Sequence, residues 1–264
     1  MEINWLELWR ELVIAGYYPK SNELAQRYEK HARKRMDRPD PLLDFVLKEV
    51  DSLDRGLDIG AGSGRWTIPL AKKVKTMSVV EPSDKMAELL RENAATGGLG
   101  NIDIISTTWE EAKIGTYDFI VCSHAMYTSP DLAAFVRKME QYTRKECYLA
   151  VRLPPADGIL GELSLAIYGR RHDSPDAIIA YNALYSLGIY ANVLVENGIV
   201  HWENATIEEA FSRAKRHLRL EKDEMHDKLI HETLGRRLQY VNNSYIWPDG
   251  MRSALLWWSP APHR

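Results

Sequence analysis

The chain has 264 residues, 45% of them hydrophobic, with 34 Lys and Arg against 37 Asp and Glu and a formal net charge of −3. That apolar content suffices for a full core, and the near-balanced charge supplies no broad basic field for holding nucleic acid through its phosphates, leaving only local clusters for that role. Two cysteines, Cys122 and Cys147, sit inside apolar runs without a C-x-x-C pair, which argues against a disulfide framework or a zinc site and fits a reducing cytoplasm.

The opening MEINWLELWRELV mixes acidic with apolar side chains and lacks the basic start and small-residue cleavage site of a signal peptide. Trp5, Leu8, Trp9, Leu12 and Val13 recur at helical spacing, and Asp40-Pro41 offers an N-cap and first-turn proline for LLDFVLKEV, so residues 1–50 are expected to form a helical cap. Strands and helices then alternate. GLDIG reads as strand, GRWTIPLAKKV as helix, TMSVVE as strand, and SDKMAELLRENAA as a helix opened by Ser83 and closed by Gly97 and Gly98. NIDIIS, YDFIVCS and CYLAVRL read as further strands, with a helix from Ser129-Pro130-Asp131 to about Thr143 between the last two. This alternation predicts the α/β class, a parallel sheet with helices on both faces.

Past Leu153 the rhythm breaks. Residues 178–195 carry no charge, but Asn182, Ser186, Gly188 and Asn192 interrupt them, so a buried helix followed by a buried strand near Val193 is a better account than a membrane span. Thr206-Ile207-Glu208-Glu209 forms a capping box for a charged helix, a second helix is expected over about residues 222–241, and GMRSALLWWS reads as the last strand. The expected organisation is a single domain over residues 1–264. Within it, residues 51–153 would be the regularly alternating core and residues 154–264 a second half with a helical insert at about 203–245.

The stretch LDIGAGSGRW, residues 57–66, ends a strand at Asp58-Ile59 and turns through Gly60, Gly62 and Gly64 into a helix. Such a turn lets a ligand lie against bare backbone beside a helix N-terminus. A dinucleotide fingerprint requires a third glycine at position 65, which is Arg65, and no G-x-x-x-x-G-K-[ST] run is present. What remains is D-x-G-x-G-x-G over Asp58, Gly60, Gly62 and Gly64, with Glu81 ending the next strand. It resembles motif I and the following acidic motif of the class I S-adenosylmethionine-dependent methyltransferases. EPSDKM resembles the acidic-x-Ser-x-x-Met stretch of their small-molecule branch (UbiE-like, methyltransferase types 11 and 25), and YDFIVCSHAMYTSPDL resembles its fourth-strand region. The resemblance covers residues 50–153 and implies that 51–153 are a cofactor-binding core and 154–264 a substrate-side half.

It implies a Rossmann-like fold: a mostly parallel seven-stranded sheet with an antiparallel last strand, helices on both faces, extra N-terminal helices and a helical cap insert. It implies S-adenosyl-L-methionine as cofactor, S-adenosyl-L-homocysteine as product, and no metal. The glycines and Ala61 would admit the methionine and ribose parts, Glu81 would accept both ribose hydroxyls, and Asp58 would orient the loop and the cofactor amino group. Pro82, Met86, Thr108, Trp109 and Ser123 complete the implied cofactor set. Thr108 stands where many relatives carry an adenine-binding aspartate, so adenine contact is expected from backbone groups or the Trp109 ring.

A sulfonium is already activated, so alignment in a dry pocket, which can contribute about 7 to 11 kcal/mol, is the main requirement and a general base is optional. The candidates at the fourth strand end are His124 and then Tyr127, each with wall-lining as the alternative. Tyr18, Tyr28, Arg152 and Tyr185 are candidate substrate contacts. Arg170, Arg171 and His172 either meet an anionic group or form a solvated face. Ser123-His124-Ala125-Met126 replaces the Asp/Asn-Pro-Pro-aromatic turn common in base amino methyltransferases, Cys122 lacks the preceding proline of a carbon-5 nucleophile, and two strand cysteines do not supply arsenic methylation. The expected function is methyl transfer to a small-molecule partner, with neither membrane nor nucleic acid involved. HARKR (31–35) and RAKRHLR (213–219) keep an RNA or protein acceptor open, and a non-catalytic cofactor-binding protein is the other alternative. The tryptophan-rich N-terminus and Trp257-Trp258 leave a homodimer open.

Overall fold

The structure, a computed structural model, describes residues 3–16, 39–197, 201–248 and 250–261. α1 (Trp5–Ala15) starts where the Asn4 side chain accepts the Glu7 N–H, and it buries Trp9, Leu12 and Val13. α2 (Pro41–Glu49) is capped by Asp40, which accepts the Leu43 N–H at 3.2 Å, with Pro41 in the first turn. β1 (Arg55–Ile59), α3 (Thr67–Lys73), β2 (Thr76–Val80), α4 (Asp84–Thr96), β3 (Ile102–Ile105), β4 (Tyr117–Ser123), α5 (Leu132–Gln141) and β5 (Thr143–Leu153) follow. The second half runs α6 (Ile159–Tyr168), α7 (Ala177–Ser186), β6 (Asn192–Val195), β7 (Glu203–Asn204), α8 (Ile207–Leu218), α9 (Asp227–Arg237), β8 (Gln239–Val241), β9 (Ser244–Ile246) and β10 (Arg252–Trp258).

The main sheet has seven strands in the order β3-β2-β1-β4-β5-β10-β6. β1 to β5 pair in parallel, and β10 runs antiparallel between β5 and β6. The chain winds outward from β1 through β2 to β3, then returns to β4 and winds the other way, so a crevice opens at the carboxyl ends of β1 and β4. Because side chains alternate along a strand, Ile120, Cys122, Leu149 and Val151 face α1, α5 and α7, while Phe119, Val121, Tyr148 and Ala150 face α2 and α3. Each such fully buried aliphatic side chain contributes roughly 1.5–3 kcal/mol. A separate core of α6, α8 and α9, with Leu163, Ala214, Leu234 and the nearby Trp247, holds the insert against α6.

Several boundaries differ from the sequence expectation. The helix expected to reach Thr143 ends at Gln141, and Thr143 starts β5 while its hydroxyl donates to Met139 O at 2.7 Å. The helix expected over 222–241 is shorter, and the insert is not wholly helical: β7, β9 and β8 form a three-stranded sheet. Its hairpin turns at Asn242 (φ 49°) and Asn243 (φ 60°), a pair of left-handed positions that asparagine tolerates. The apolar α6, whose N-cap Gly158 makes no side-chain bond, carried no start signal. Residues 178–195 divide into α7 and β6 as expected, but β6 is not the buried strand expected: it is the edge strand of the sheet, paired among the described residues only with β10, and Val193 and Val195 are exposed. Among the described residues no helix is long and apolar enough to cross a membrane.

Candidate active site

The loop leaving β1 uses its glycines differently. Gly60 (φ 70°) donates its N–H to Val80 O at 2.7 Å, and a Cβ there would lie 2.3 Å from Ala125 Cβ. At Gly64 (φ 94°) a Cβ would lie 2.4 Å from Leu90 Cδ1. These two glycines permit close packing. Gly62 (φ 56°) has nothing within 4 Å of its would-be Cβ, so its bare backbone faces open space.

The Gly62 N–H donates to Glu81 Oε2 at 2.8 Å, and Glu81 Oε1 accepts the Ser83 N–H at 3.0 Å. Burial raises the Glu81 pKa against these two bonds. Asp58 is buried, with Oδ2 accepting the Thr67 hydroxyl at 2.6 Å. Burial pushes its carboxyl up to about 7, the Thr67 bond opposing and the Glu81 charge adding. Asn93 Nδ2 pins the loop by donating to Ser63 O at 2.8 Å. Arg65, the residue that breaks the dinucleotide fingerprint, pairs with Asp40 at 2.8 Å, and Asp40 also accepts the Trp66 indole N–H at 2.9 Å.

Around this loop, Ala61 is half-buried, Pro82 is exposed and Met86 is buried at the start of α4. Thr108 is exposed and donates to Glu111 at 3.1 Å. Trp109 is buried beside α5. Its Nε1 donates to Phe135 O at 3.3 Å and Lys138 Nζ lies 4.6 Å from its ring, so the ring serves packing.

Ser123 ends β4, and His124 follows in the left-handed region at φ 58°, its N–H donating to Ala150 O at 3.0 Å. A non-glycine residue held there marks a strained position of the kind that clusters at functional sites. His124 Nδ1 lies 3.2 Å from the Tyr127 hydroxyl and Nε2 lies 3.3 Å from Ser253 Oγ. Tyr127 accepts the Arg152 N–H at 2.7 Å, and the Arg152 guanidinium lies 4.5 Å from its ring centroid. The neutral imidazole can serve both contacts, one ring nitrogen donating and the other accepting. This network joins the ends of β4, β5 and β10 into one wall of the crevice. Cys122 is fully buried, and burial pushes its thiol up; Cys147 is pushed up to about 12 for the same reason, so neither is a nucleophile.

Beyond β5 the same sheet edge opens on a cavity of 220 Å³, bounded by the start of α6, the segment before α7, and Trp202 and Trp247 of the insert. No sequence signal pointed to those two tryptophans. Tyr185, expected to contact substrate, is 59% exposed and packs edge to face on Tyr190, and the cavity lining does not include it. Tyr18 and Tyr28 lie outside the described residues. The basic run 213–219 is largely consumed internally. Lys215 pairs with Asp227 at 2.6 Å, Arg213 donates to Asn204 at 3.1 Å, and Arg219 donates to Leu12 O and Asp173 O at 3.3 Å. Among the described residues no group of three or more His, Cys, Asp or Glu could hold a metal ion.

Comparison with known proteins agrees with this geometry. The YcgJ protein from Bacillus subtilis shares the fold with a TM-score of 0.54 at 18% identity, covering 82% of this chain and 97% of that one. A SAM-dependent methyltransferase from Thiobacillus denitrificans, solved with S-adenosyl-L-homocysteine, gives a TM-score of 0.52 at 14% identity, covering 91% and 98%. A probable ribosomal RNA small subunit methyltransferase A from Methanosphaera stadtmanae is 29% identical over 116 residues, 43% of this chain, and the chain spans only 42% of that relative's length. The profile of a methyltransferase-domain family matches residues 28–204, so the chain belongs to that family and carries the class I S-adenosylmethionine-dependent methyltransferase fold.

Proposed function

We propose that the protein transfers a methyl group from S-adenosyl-L-methionine to a small-molecule acceptor. The observation that carries the reading is the Gly62 backbone, open to solvent and bonded to the Glu81 carboxylate at the next strand end. These residues fit the cofactor: a side chain at position 62 would fill the space that its methionine and ribose need, and a carboxylate's two oxygens suit a ribose diol.

When bound, S-adenosyl-L-methionine would supply an activated methyl group to the acceptor. Glu81 would hold the ribose, Asp58 would meet the amino group, and the His124–Tyr127–Arg152 wall would fix the acceptor side and exclude water. Both His124 ring nitrogens are engaged, so His124 acts chiefly by position. A second reading, transfer to RNA, draws support from the Methanosphaera relative, while the internal use of the 213–219 cations weighs against it.

The test incubates the protein with methyl-labelled cofactor and cell extract, then separates small-molecule, RNA and protein fractions. Label in the small-molecule fraction supports the proposal; label in RNA or protein replaces it. Bound cofactor with no label in any fraction favours a non-catalytic binding protein.

A further inference from the structure

Four basic residues near the crevice are sorted by their partners. Arg152 donates to Pro175 O at 2.9 Å and covers Tyr127, and Arg170 pairs with Glu11 at 2.8 Å. Arg171 and His172 line the cavity beyond β5. The Arg171 side chain is exposed and makes no ion pair or hydrogen bond among the described residues.

The two carboxylates beside them are already committed. Asp176 accepts the N–H groups of Ile178 and Ile179 at 2.8 and 2.9 Å through one oxygen, and His172 Nδ1 lies 2.9 Å from the other. Asp173 contacts His217 Nε2 and accepts the Ser174 hydroxyl at 3.3 Å. Asp176 therefore fixes the His172 ring through Nδ1 and leaves Nε2 for a ligand. The same bond raises the His172 pKa against burial, which favours the cationic form. The His172 charge is matched by Asp176, which leaves Arg171 as the lining cation with no ion pair among the described residues.

The rest of the lining is apolar: Pro154, Ile159, Leu160, Trp202, Trp247 and Met251. A cavity of about 150 Å³ accepts benzene, so 220 Å³ accommodates one ring with short substituents. Its lining includes Pro154, directly after β5, whose Arg152 N–H donates to Tyr127 at 2.7 Å, and Met251, directly before β10, whose Ser253 meets His124, so the cavity adjoins the His124–Tyr127–Arg152 wall of the crevice.

The geometry points to this cavity as the acceptor site for a single-ring carboxylate, its ring among Trp202, Trp247 and Ile159 and its anionic group on Arg171 and His172 Nε2. The assignment as acceptor site rests on the methyl-transfer reading above.

The test follows tryptophan fluorescence of the full chain during titration with benzoate and with its neutral isostere benzamide, while calorimetry measures S-adenosyl-L-methionine binding in the same preparation. Benzoate is expected to quench saturably, with benzamide about tenfold weaker and Arg171→Gln and His172→Gln each weakening benzoate by about tenfold or more. Ile178→Trp, at a half-exposed lining position, should block binding without touching the core. No saturation below about 20 mM benzoate, equal affinity for benzamide, or binding unchanged in all three variants would overturn the proposal. Cofactor binding without benzoate binding removes the carboxylate site alone. Benzoate binding without cofactor binding removes the methyl-transfer reading and leaves a carboxylate site.

Discussion

The carboxylate of Glu81, at the end of β2, accepts the N–H of Gly62 in the loop leaving β1 at 2.8 Å. One side chain therefore both shapes the glycine loop and presents acceptors to whatever lies on it. Glu81→Gln keeps one carbonyl oxygen but removes the charge. Cofactor affinity should fall by about 10- to 100-fold, the range for hydrogen bonds to charged groups. Although burial raises the Glu81 pKa, the amide nitrogen would replace the acceptor of either the Gly62 or the Ser83 N–H, so the melting temperature at pH 7 should fall. Calorimetric titration and a thermal melt check both halves.

Asp58 provides a pH signature. Its pKa rises from 3.8 to about 7 on folding, so the native state holds a proton that the unfolded chain has released over that window. Its contribution to stability is full below pH 3.8 and is lost as pH rises toward 7. Asp58→Asn should flatten that part of the stability profile. Cofactor binding should respond oppositely: an ammonium group beside Asp58 favours the carboxylate, so affinity for S-adenosyl-L-methionine should climb with pH and level above about 7, while 5′-methylthioadenosine, which lacks the amino group, should show no such rise.

Tyr127→Phe removes the acceptor of the Arg152 N–H and the partner of His124 Nδ1. Leaving such groups unsatisfied costs about 1–3 kcal/mol, which urea denaturation would read as a lower midpoint at unchanged slope. An unchanged midpoint would mean that the wall does not depend on this network.

Iodoacetamide should leave Cys122 and Cys147 unlabelled in the native protein, because both are fully buried and Cys147 is pushed up to about 12. Methyl transfer should survive the treatment. Rapid labelling of Cys122 with loss of activity would restore a thiol nucleophile.

The parts of the molecule legible in its sequence were those written locally. Asp40-Pro41, Ser83 and Thr206 each cap the helix they announced, and the alternation of apolar residues along β4 and β5 sorts the two sheet faces. The spacing of Gly60, Gly62 and Gly64 likewise marked the loop that faces Glu81. Features made by tertiary contact stayed hidden. The Arg65–Asp40 pair joins α2 to the glycine loop, and Trp202 and Trp247 reach the cavity only because the insert folds back over α6. Tyr185 read as a pocket residue, yet the buried stripe of α7 runs through Ile179, Ala180, Ala183 and Leu184 and leaves Tyr185 outside. The Asn242-Asn243 turn was a local signal that the helical reading of 222–241 overrode.

The central claim is that the loop at Gly62 is a cofactor site, and paired glycine variants test it most directly. Gly62→Ala adds a methyl in open space at a cost of about 1–2 kcal/mol for the left-handed backbone. Gly64→Ala adds the same strain and drives a methyl into Leu90, costing about 1–3 kcal/mol more. Calorimetric binding of S-adenosyl-L-homocysteine alongside thermal melting should show saturable binding by the parent, loss of binding in Gly62→Ala with the smaller drop in stability, and the larger drop in Gly64→Ala. Undiminished binding in a folded Gly62→Ala protein, or no binding by the parent, would contradict the account.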